Sequence, residues 1–384
     1  MSAQYRETPP ASCPGANLRG MSESNPRPAP KTSPPVTIYD VAHRAGVSAS
    51  TVSRAFSRPD RVSGRTAAAI RAAAEELGYG RTLDTRPKPD PATNTLGLVL
   101  ADVANPFFQE VWRGAEHAAR VGDMAVLTAD VQESVPRTHA AIERMIPLVD
   151  GLILASTRLS GGEIQKIARR VPTVSVNRPV PGVPSVLVDD YDGMVRVTAH
   201  LHDQGARSIT YLSGPADSWS DAVRWRALLD VAGNTDPTDR PAVLTRAAAL
   251  SAERAQKLTR MTVRQRQVDQ PTIRGGRRAF EVWRTQPTDA VICFNDLVAV
   301  GFLDQARRAG VTAPEDLLIV GFDNTDLAGV HRPSLTTVAG PLRAVGRVAA
   351  ANAMALARGL DSPLSKPRVL PARLIVRESS TRAG

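Results

Sequence analysis

The chain has 384 residues, 42% of them hydrophobic and 22% charged, with a formal net charge of +10. That length suits a small domain joined to a larger one, and the positive balance suits a polyanionic partner. No run of about 18 apolar residues argues for a membrane span, and Cys13 and Cys293 lie too far apart for a disulfide framework or a metal knuckle, which fits a reducing cytoplasm.

Residues 1–35 are rich in Pro, Ser, Arg and Ala and contain few large apolar groups. They cannot bury enough surface to fold, so the sequence predicts a disordered tail, with no apolar signal core to direct export. From Val36 the pattern changes. Thr37 can cap a helix in which Ile38, Val41 and Ala42 recur at helical spacing, with Asp40 near its positive end. Gly46 can take the left-handed angles of a sharp turn, Val47 can bury beneath it, and Ser48 can cap a second helix with Val52 and Phe56 facing inward. The outward face then carries Ala49, Ser50, Thr51, Ser53 and Arg54, which are short, polar or basic and include no acid. Such a face suits the DNA major groove, where an arginine grips guanine with two bonds; an ordinary solvated helix face is the alternative. Arg58, Arg61, Ser63, Arg65 and Thr66 add phosphate-seeking groups, and a third amphipathic helix is expected from Thr66 to Leu77, ended by Gly78. Three such helices predict a helix-turn-helix headpiece over 36–80.

VTIYDVAHRAGVSASTVSRAFSRPDRVSGRTAAAIRAAAEELGY resembles the DNA-binding headpiece of the lactose-repressor (LacI) family of bacterial transcription regulators. The resemblance implies that Ala49, Ser50 and Arg54 contact base edges. It implies phosphate contacts for Ser48, Thr51, Ser53, Ser57 and Ser63. The linker at 81–94 departs from the family. Pro87, Pro89 and Pro91 oppose the usual hinge helix, and Lys88 stands where a minor-groove leucine is expected.

From Thr95 apolar runs alternate with helical patterns: TLGLVLAD, MAVLTAD, GLILAS, PTVSVN, PSVLVDD, SITYLSG, AVICFND and LLIVGFD, with one intervening helix at about Pro136 to Leu148. Runs of this kind predict parallel strands covered on both faces. Some ten strands exceed one comfortable sheet, so the expected fold is a small all-α headpiece plus a two-lobed α/β core over 95–384, with ligand held between the lobes. ADVANPFF, VDGLILAS, VNR, SWSDAVRWRAL, FNDLVAVG, VGFDN and SLTTV resemble the LacI-family effector core, which is related to periplasmic sugar-binding proteins. That resemblance thins over 233–260, which carries no recognisable motif.

Strand ends and this resemblance together place Asp102, Asn105, Phe107, Asn177, Arg178, Trp219, Arg224, Asn295, Asp296, Asp323 and Asn324 at the cleft. Aromatic faces with carboxylates, amides and a guanidinium suit a polyhydroxylated ligand. Asp323, Arg224, Asn177, Phe107, Asn295 and Trp219 are the expected effector contacts, whereas Asp102, Asn105 and Asn295 are equally good helix caps. Phe108 and Trp112 are assigned to the core.

No GxSxG elbow, P-loop or HExxH is present, so no catalytic residues are expected. No cofactor is expected either. His200 and His202 point to different helix faces and are read as solvated rather than as metal ligands. The function expected is a cytoplasmic, nucleoid-associated regulator, in the sense of a repressor. It would bind a near-palindromic double-stranded operator as a homodimer and respond to a sugar-like effector. No leucine heptad follows Glu378, so the family's tetramerising helix is expected to be absent. The alternative is a sugar-binding receptor with a poorly specific DNA module.

Overall fold

The computed structural model describes residues 38–52, 64–77, 92–232, 261–360, 362, 364 and 366–382. Ser53, Arg54, Ser57, Ser63, the N-terminal tail, Pro87 and Lys88 of the linker, and residues 233–260 lie outside the described residues. The chain divides into two compact units, 1–85 and 86–384.

In the first unit, α1 spans Ile38–Ala45, residues 49–52 are helical, and α2 spans Gly64–Leu77. Gly46 takes φ +65, so the turn after α1 uses a conformation that favours glycine. Val41, Ala42, Val52, Ile70 and Ala73 form its buried core, and Val47 packs against them. Arg44 pairs with Glu76 at 2.5 Å across the two helices.

The second unit contains two six-stranded sheets. The first is ordered β11-β5-β4-β3-β1-β2, with β1 Thr95–Leu100, β2 Ala125–Asp130, β3 Gly151–Ala155, β4 Thr173–Val176, β5 Ser185–Val188 and β11 Arg368–Leu370. Every pair in it is parallel. Helices α3 (Pro106–Val121), α4 (Val135–Met145) and α5 (Gly161–Ala168) connect its strands. The second sheet is ordered β12-β10-β9-β8-β6-β7, from β6 Ser208–Ser213, β7 Thr262–Gln267, β8 Ala290–Cys293, β9 Leu318–Phe322, β10 Thr336–Ala339 and β12 Arg373–Ile375. Only β10 with β12 is antiparallel, a departure from the all-parallel expectation. Its helices are α6 (Asp190–Asp203), α7 (Trp219–Val231), α8 (Ile273–Trp283), α9 (Asp296–Arg308) and the short α10 (Asp326–Val330).

The chain crosses between the lobes after β5, between β10 and α11 (Leu342–Ala357), and between β11 and β12. Helix α11 returns to the first lobe and lies against α3. Their backbones approach closely: a Cβ on Gly346 would stand 1.9 Å from the Val111 carbonyl oxygen, and one on Gly114 would stand 2.0 Å from that of Arg343. Among the described residues, no helix is long and apolar enough to cross a membrane.

Two readings of burial change. Phe108 is buried, but Trp112 is 38% exposed, because the buried stripe of α3 runs through Val111, Ala115 and Ala118 and leaves Trp112 at its margin. His200 and His202 are half-buried rather than solvated, and His200 Nε2 lies 2.7 Å from Ser380 Oγ.

Candidate functional site

On the headpiece, Ser48 starts the second helical segment as a cap. The Thr51 amide donates to Ser48 Oγ at 3.2 Å, which also lies 2.8 Å from Thr51 Oγ1 and 2.9 Å from Ser50 Oγ. Ser48 and Ser50 are exposed, whereas Ala49 is half-buried and packs partly on the headpiece core. The short side chains therefore stand on a segment held from beneath.

In the second unit, the strand ends of both lobes enclose a cleft of about 600 Å³, counting its solvent-open mouth. Asp102, Asn105, Phe107, Asn177 and Arg178 line it from the first lobe, and Trp219, Arg224, Phe294 and Asp323 from the second. The α3 cap is Asn105, whose Oδ1 accepts from the Phe107 amide at 3.0 Å, so Phe107 is presented by the first turn of a helix. Phe107 and Phe108 meet edge to face with centroids 4.9 Å apart. Asp102 Oδ1 accepts from the Ala104 amide at 2.9 Å and helps shape the same loop.

Arg224 is the fixed centre. Its Nε and Nη2 donate to Asp190 Oδ1 at 2.9 and 2.7 Å, and its Nη1 donates to the Phe294 carbonyl at 2.6 Å. The guanidinium also lies 4.0 Å from the Phe322 ring centroid and 5.4 Å from that of Phe294. Burial opposes the charge of Arg224, but Asp190, Tyr211 and Asp323 together outweigh it and hold the guanidinium more firmly protonated than usual. Asp190, which sequence reasoning did not single out, is thus the residue that positions Arg224.

Asp323 is bent into the cleft by φ +102. Burial pushes its carboxyl up to about 8, with Arg224 pulling it down and Asp296 and Asp190 pushing it further up. Asn177 is 7% exposed, has φ +59, and its Oδ1 has no hydrogen-bond partner. An orphan acceptor at the wall of a cleft is satisfied by a ligand or water donor.

Asn295, Asp296 and Asn324 are corrections. Asn295 is spent as the α9 cap: its Oδ1 accepts from the Val298 amide at 2.9 Å and its amide donates to the Pro271 carbonyl at 3.1 Å, so it is not among the cleft-lining residues. Asp296 is fully buried and holds the Thr325 amide at 2.7 Å and the Thr337 hydroxyl at 2.6 Å. Burial pushes its carboxyl up to about 7. Asn324 is exposed and accepts from Arg377 Nη2 at 2.8 Å.

Residues 37–81 match the family described as bacterial regulatory proteins, lacI family, and residues 198–380 match the periplasmic binding protein-like domain. The HTH-type transcriptional repressor CytR of Escherichia coli is 31% identical over 359 residues, covering 92% of this chain and 99% of CytR. The chain belongs to the LacI family. Two solved structures share its architecture. A transcriptional regulator CelR–cellobiose complex superposes with a TM-score of 0.59 at 26% identity, covering 90% of this chain and 100% of the other. The lac repressor dimer bound to operator and the anti-inducer ONPF gives 0.60 at 22% identity, covering 91% and 100%.

In this LacI-family core the cleft lining holds two further residues that sequence reasoning missed, Glu133 and Arg158. They are charged residues in loops after successive strands, and nothing in their local pattern marks them as a pair. No group of three His, Cys, Asp or Glu side chains among the described residues is arranged to hold a metal ion.

Proposed function

We propose that the protein is a cytoplasmic transcriptional repressor that binds a near-palindromic operator as a homodimer and is modulated by a sugar or sugar derivative held between its lobes. The observation that carries the effector half is the unpartnered Asn177 Oδ1, buried in a wall that also presents Asp323, Arg224, Phe107 and Trp219. A ring-shaped ligand with several hydroxyls answers each feature: hydroxyls donate to the Asn177 amide oxygen, pair with the Asp323 carboxyl and accept from the guanidinium, and C–H faces lie on the aromatic rings. The cellobiose found with the CelR neighbour supports a sugar of this kind.

On the DNA side, the reading assigns base contacts to Ala49, Ser50 and Arg54 and phosphate contacts to Ser48, Thr51, Ser53, Ser57 and Ser63. A two-headpiece dimer explains why the operator should be two-fold symmetric. Effector and operator then share one conformational equilibrium, so each alters the other's affinity by the same factor.

The test is selection of fragmented genomic DNA by the purified chain at moderate salt. A palindromic motif upstream of a few genes is the expected result, and those genes nominate effectors to titrate. Arg54→Ala should weaken binding to that motif by about 1–3 kcal/mol and relax one position of it. Uniform, salt-sensitive binding without a motif would favour a ligand receptor carrying a poorly specific DNA module.

A further inference from the structure

The cleft wall also carries a charged pair, Glu133 and Arg158, that is not among the expected effector contacts, and a third charge, Asp217, lies beside it. Glu133 follows β2 and Arg158 follows β3, both in the first lobe, whereas Asp217 follows β6 in the second. Arg158 Nε lies 2.5 Å from Glu133 Oε2 and 3.8 Å from Asp217 Oδ1. The Arg158 side chain is only 7% exposed, against 55% for Asp217. One buried guanidinium therefore faces a carboxylate from each lobe.

The backbone around the cluster is itself committed. Gln132 and Glu133 have φ of +49 and +58, and Ser156 has φ +56, all in the region that L-residues other than asparagine and aspartate seldom enter. The Glu133 amide donates to the Ala101 carbonyl at 2.7 Å, which ties that loop to the end of β1. Such bends persist only where surrounding contacts hold them, and here they bring Glu133 to Arg158. Burial pushes the Glu133 carboxyl up, with Arg158 as the chief opposing influence, so the pair is held in place against a desolvation penalty.

We propose that Arg158 is a positioning residue for lobe closure: anchored on Glu133, it reaches from the first lobe to Asp217 of the second and sets how far the two lobes stay together. The proposal rests on the reading of the cleft as a binding site that opens and closes. Such a link does not occupy Asn177, Asp323 or Arg224. It also gives the closed state a contact that opening must break, so it biases the equilibrium before any effector arrives. Asp217 is the adjustable end, since it is exposed and at the outer limit of an ion pair, whereas Glu133 is the fixed end.

The test reads the lobes directly, without DNA or effector, so its failure is separate from failure of the regulator reading. The full chain carrying Cys13→Ser, Lys166→Cys and Thr285→Cys is spin-labelled, one label per lobe, and the interlobe distance distribution is measured by pulsed electron resonance. Asp217→Asn, which leaves the Glu133–Arg158 pair intact, should move the open-to-closed ratio toward open by roughly 1.5- to 5-fold, the range for a partly exposed pair. Arg158→Gln should open the lobes at least as far, the double variant should go no further than Arg158→Gln alone, and Arg158→Lys should retain most of the closed population. Added salt should broaden the parent distribution and leave Asp217→Asn nearly unchanged. An unaltered distribution in Asp217→Asn, or additive effects in the double variant, would overturn the proposal.

Discussion

Replacing Asp190 by asparagine removes one charge from the centre of the cleft and changes little else in shape. Asp190 Oδ1 accepts two hydrogen bonds from Arg224, and both side chains are at most 7% exposed. Hydrogen bonds to charged groups contribute about 1.5–3 kcal/mol each, and breaking a buried pair from one side costs about 3–5 kcal/mol. Asparagine keeps an acceptor, which places the loss near the lower end, about 3 kcal/mol in urea denaturation of the ligand-free chain. A second effect separates electrostatics from packing. With Asp190 neutral, Arg224 has Asp323 as its remaining nearby carboxylate, so the raised Asp323 pKa should move down. The double variant Asp190→Leu with Arg224→Met should be less destabilised than Asp190→Asn alone, because it leaves no uncompensated charge. A loss below about 1 kcal/mol, or a double variant worse than the single one, would refute a buried guanidinium held chiefly by Asp190.

Asp323 predicts a pH dependence of the ligand-free chain. The folded carboxyl titrates at about 8, well above the unfolded value, so between about pH 4 and 8 the native state keeps a proton the unfolded state has released. Stability therefore falls as pH rises through that window. Asp296 adds its own fall up to about pH 7, leaving the stretch from 7 to 8 mainly to Asp323. Asp323→Asn should flatten the melting temperature between pH 7 and 8; an unchanged slope there would assign it elsewhere. Gly346→Ala should destabilise by about 1–3 kcal/mol or more in the same denaturation assay, because the new methyl meets the Val111 carbonyl of α3. Asn295→Ala should cost about 1 kcal/mol as a lost cap while leaving effector affinity, measured by titration calorimetry once an effector is in hand, within twofold; a tenfold loss would return Asn295 to the ligand.

The buried strands were legible because each is an apolar run with both faces covered: β3 and β9 are buried at every position. β7 was not, because TVRQRQ is an edge strand with alternate positions open to water and has no apolar run to announce it. Asp323, Arg224, Asn177, Phe107 and Trp219 all line the cleft, as strand-end position and family resemblance led one to expect. Asn295 has the same credentials and does not, since a strand-end asparagine before a helix meets its own amides before it meets a ligand. Asp190 shows the converse failure. In the sequence it is the second aspartate after β5 and looks like part of a helix start, but Asp189 does the capping and Asp190 turns to an arginine 34 residues away. Partners at that separation leave no periodic trace.

The cleft owes its shape to backbone more than to side chains. Glu133, Ser156, Asn177 and Asp323 all line it and all have positive φ without being glycine. Each nonetheless donates its amide to a neighbouring strand or strand end: to the carbonyls of Ala101, Val176, Val186 and Val338 at 2.7, 3.1, 2.9 and 2.9 Å. The sheet thus holds the nitrogen of each residue in its ladder while the left-handed turn redirects the chain beyond it. A conformation costing up to about 1–3 kcal/mol per residue survives because the ladder bonds hold each residue in place. Glu133, Ser156 and Asn177 show this device in the first lobe and Asp323 repeats it in the second. On the proposed reading of the cleft, changes at Phe107, Arg178 or Trp219 would alter effector selectivity without disturbing the frame, whereas Asn177 and Asp323 belong to the frame and would also meet the ligand. Their substitution is therefore expected to show in stability as well as in response, and separating the two requires the ligand-free pH profile.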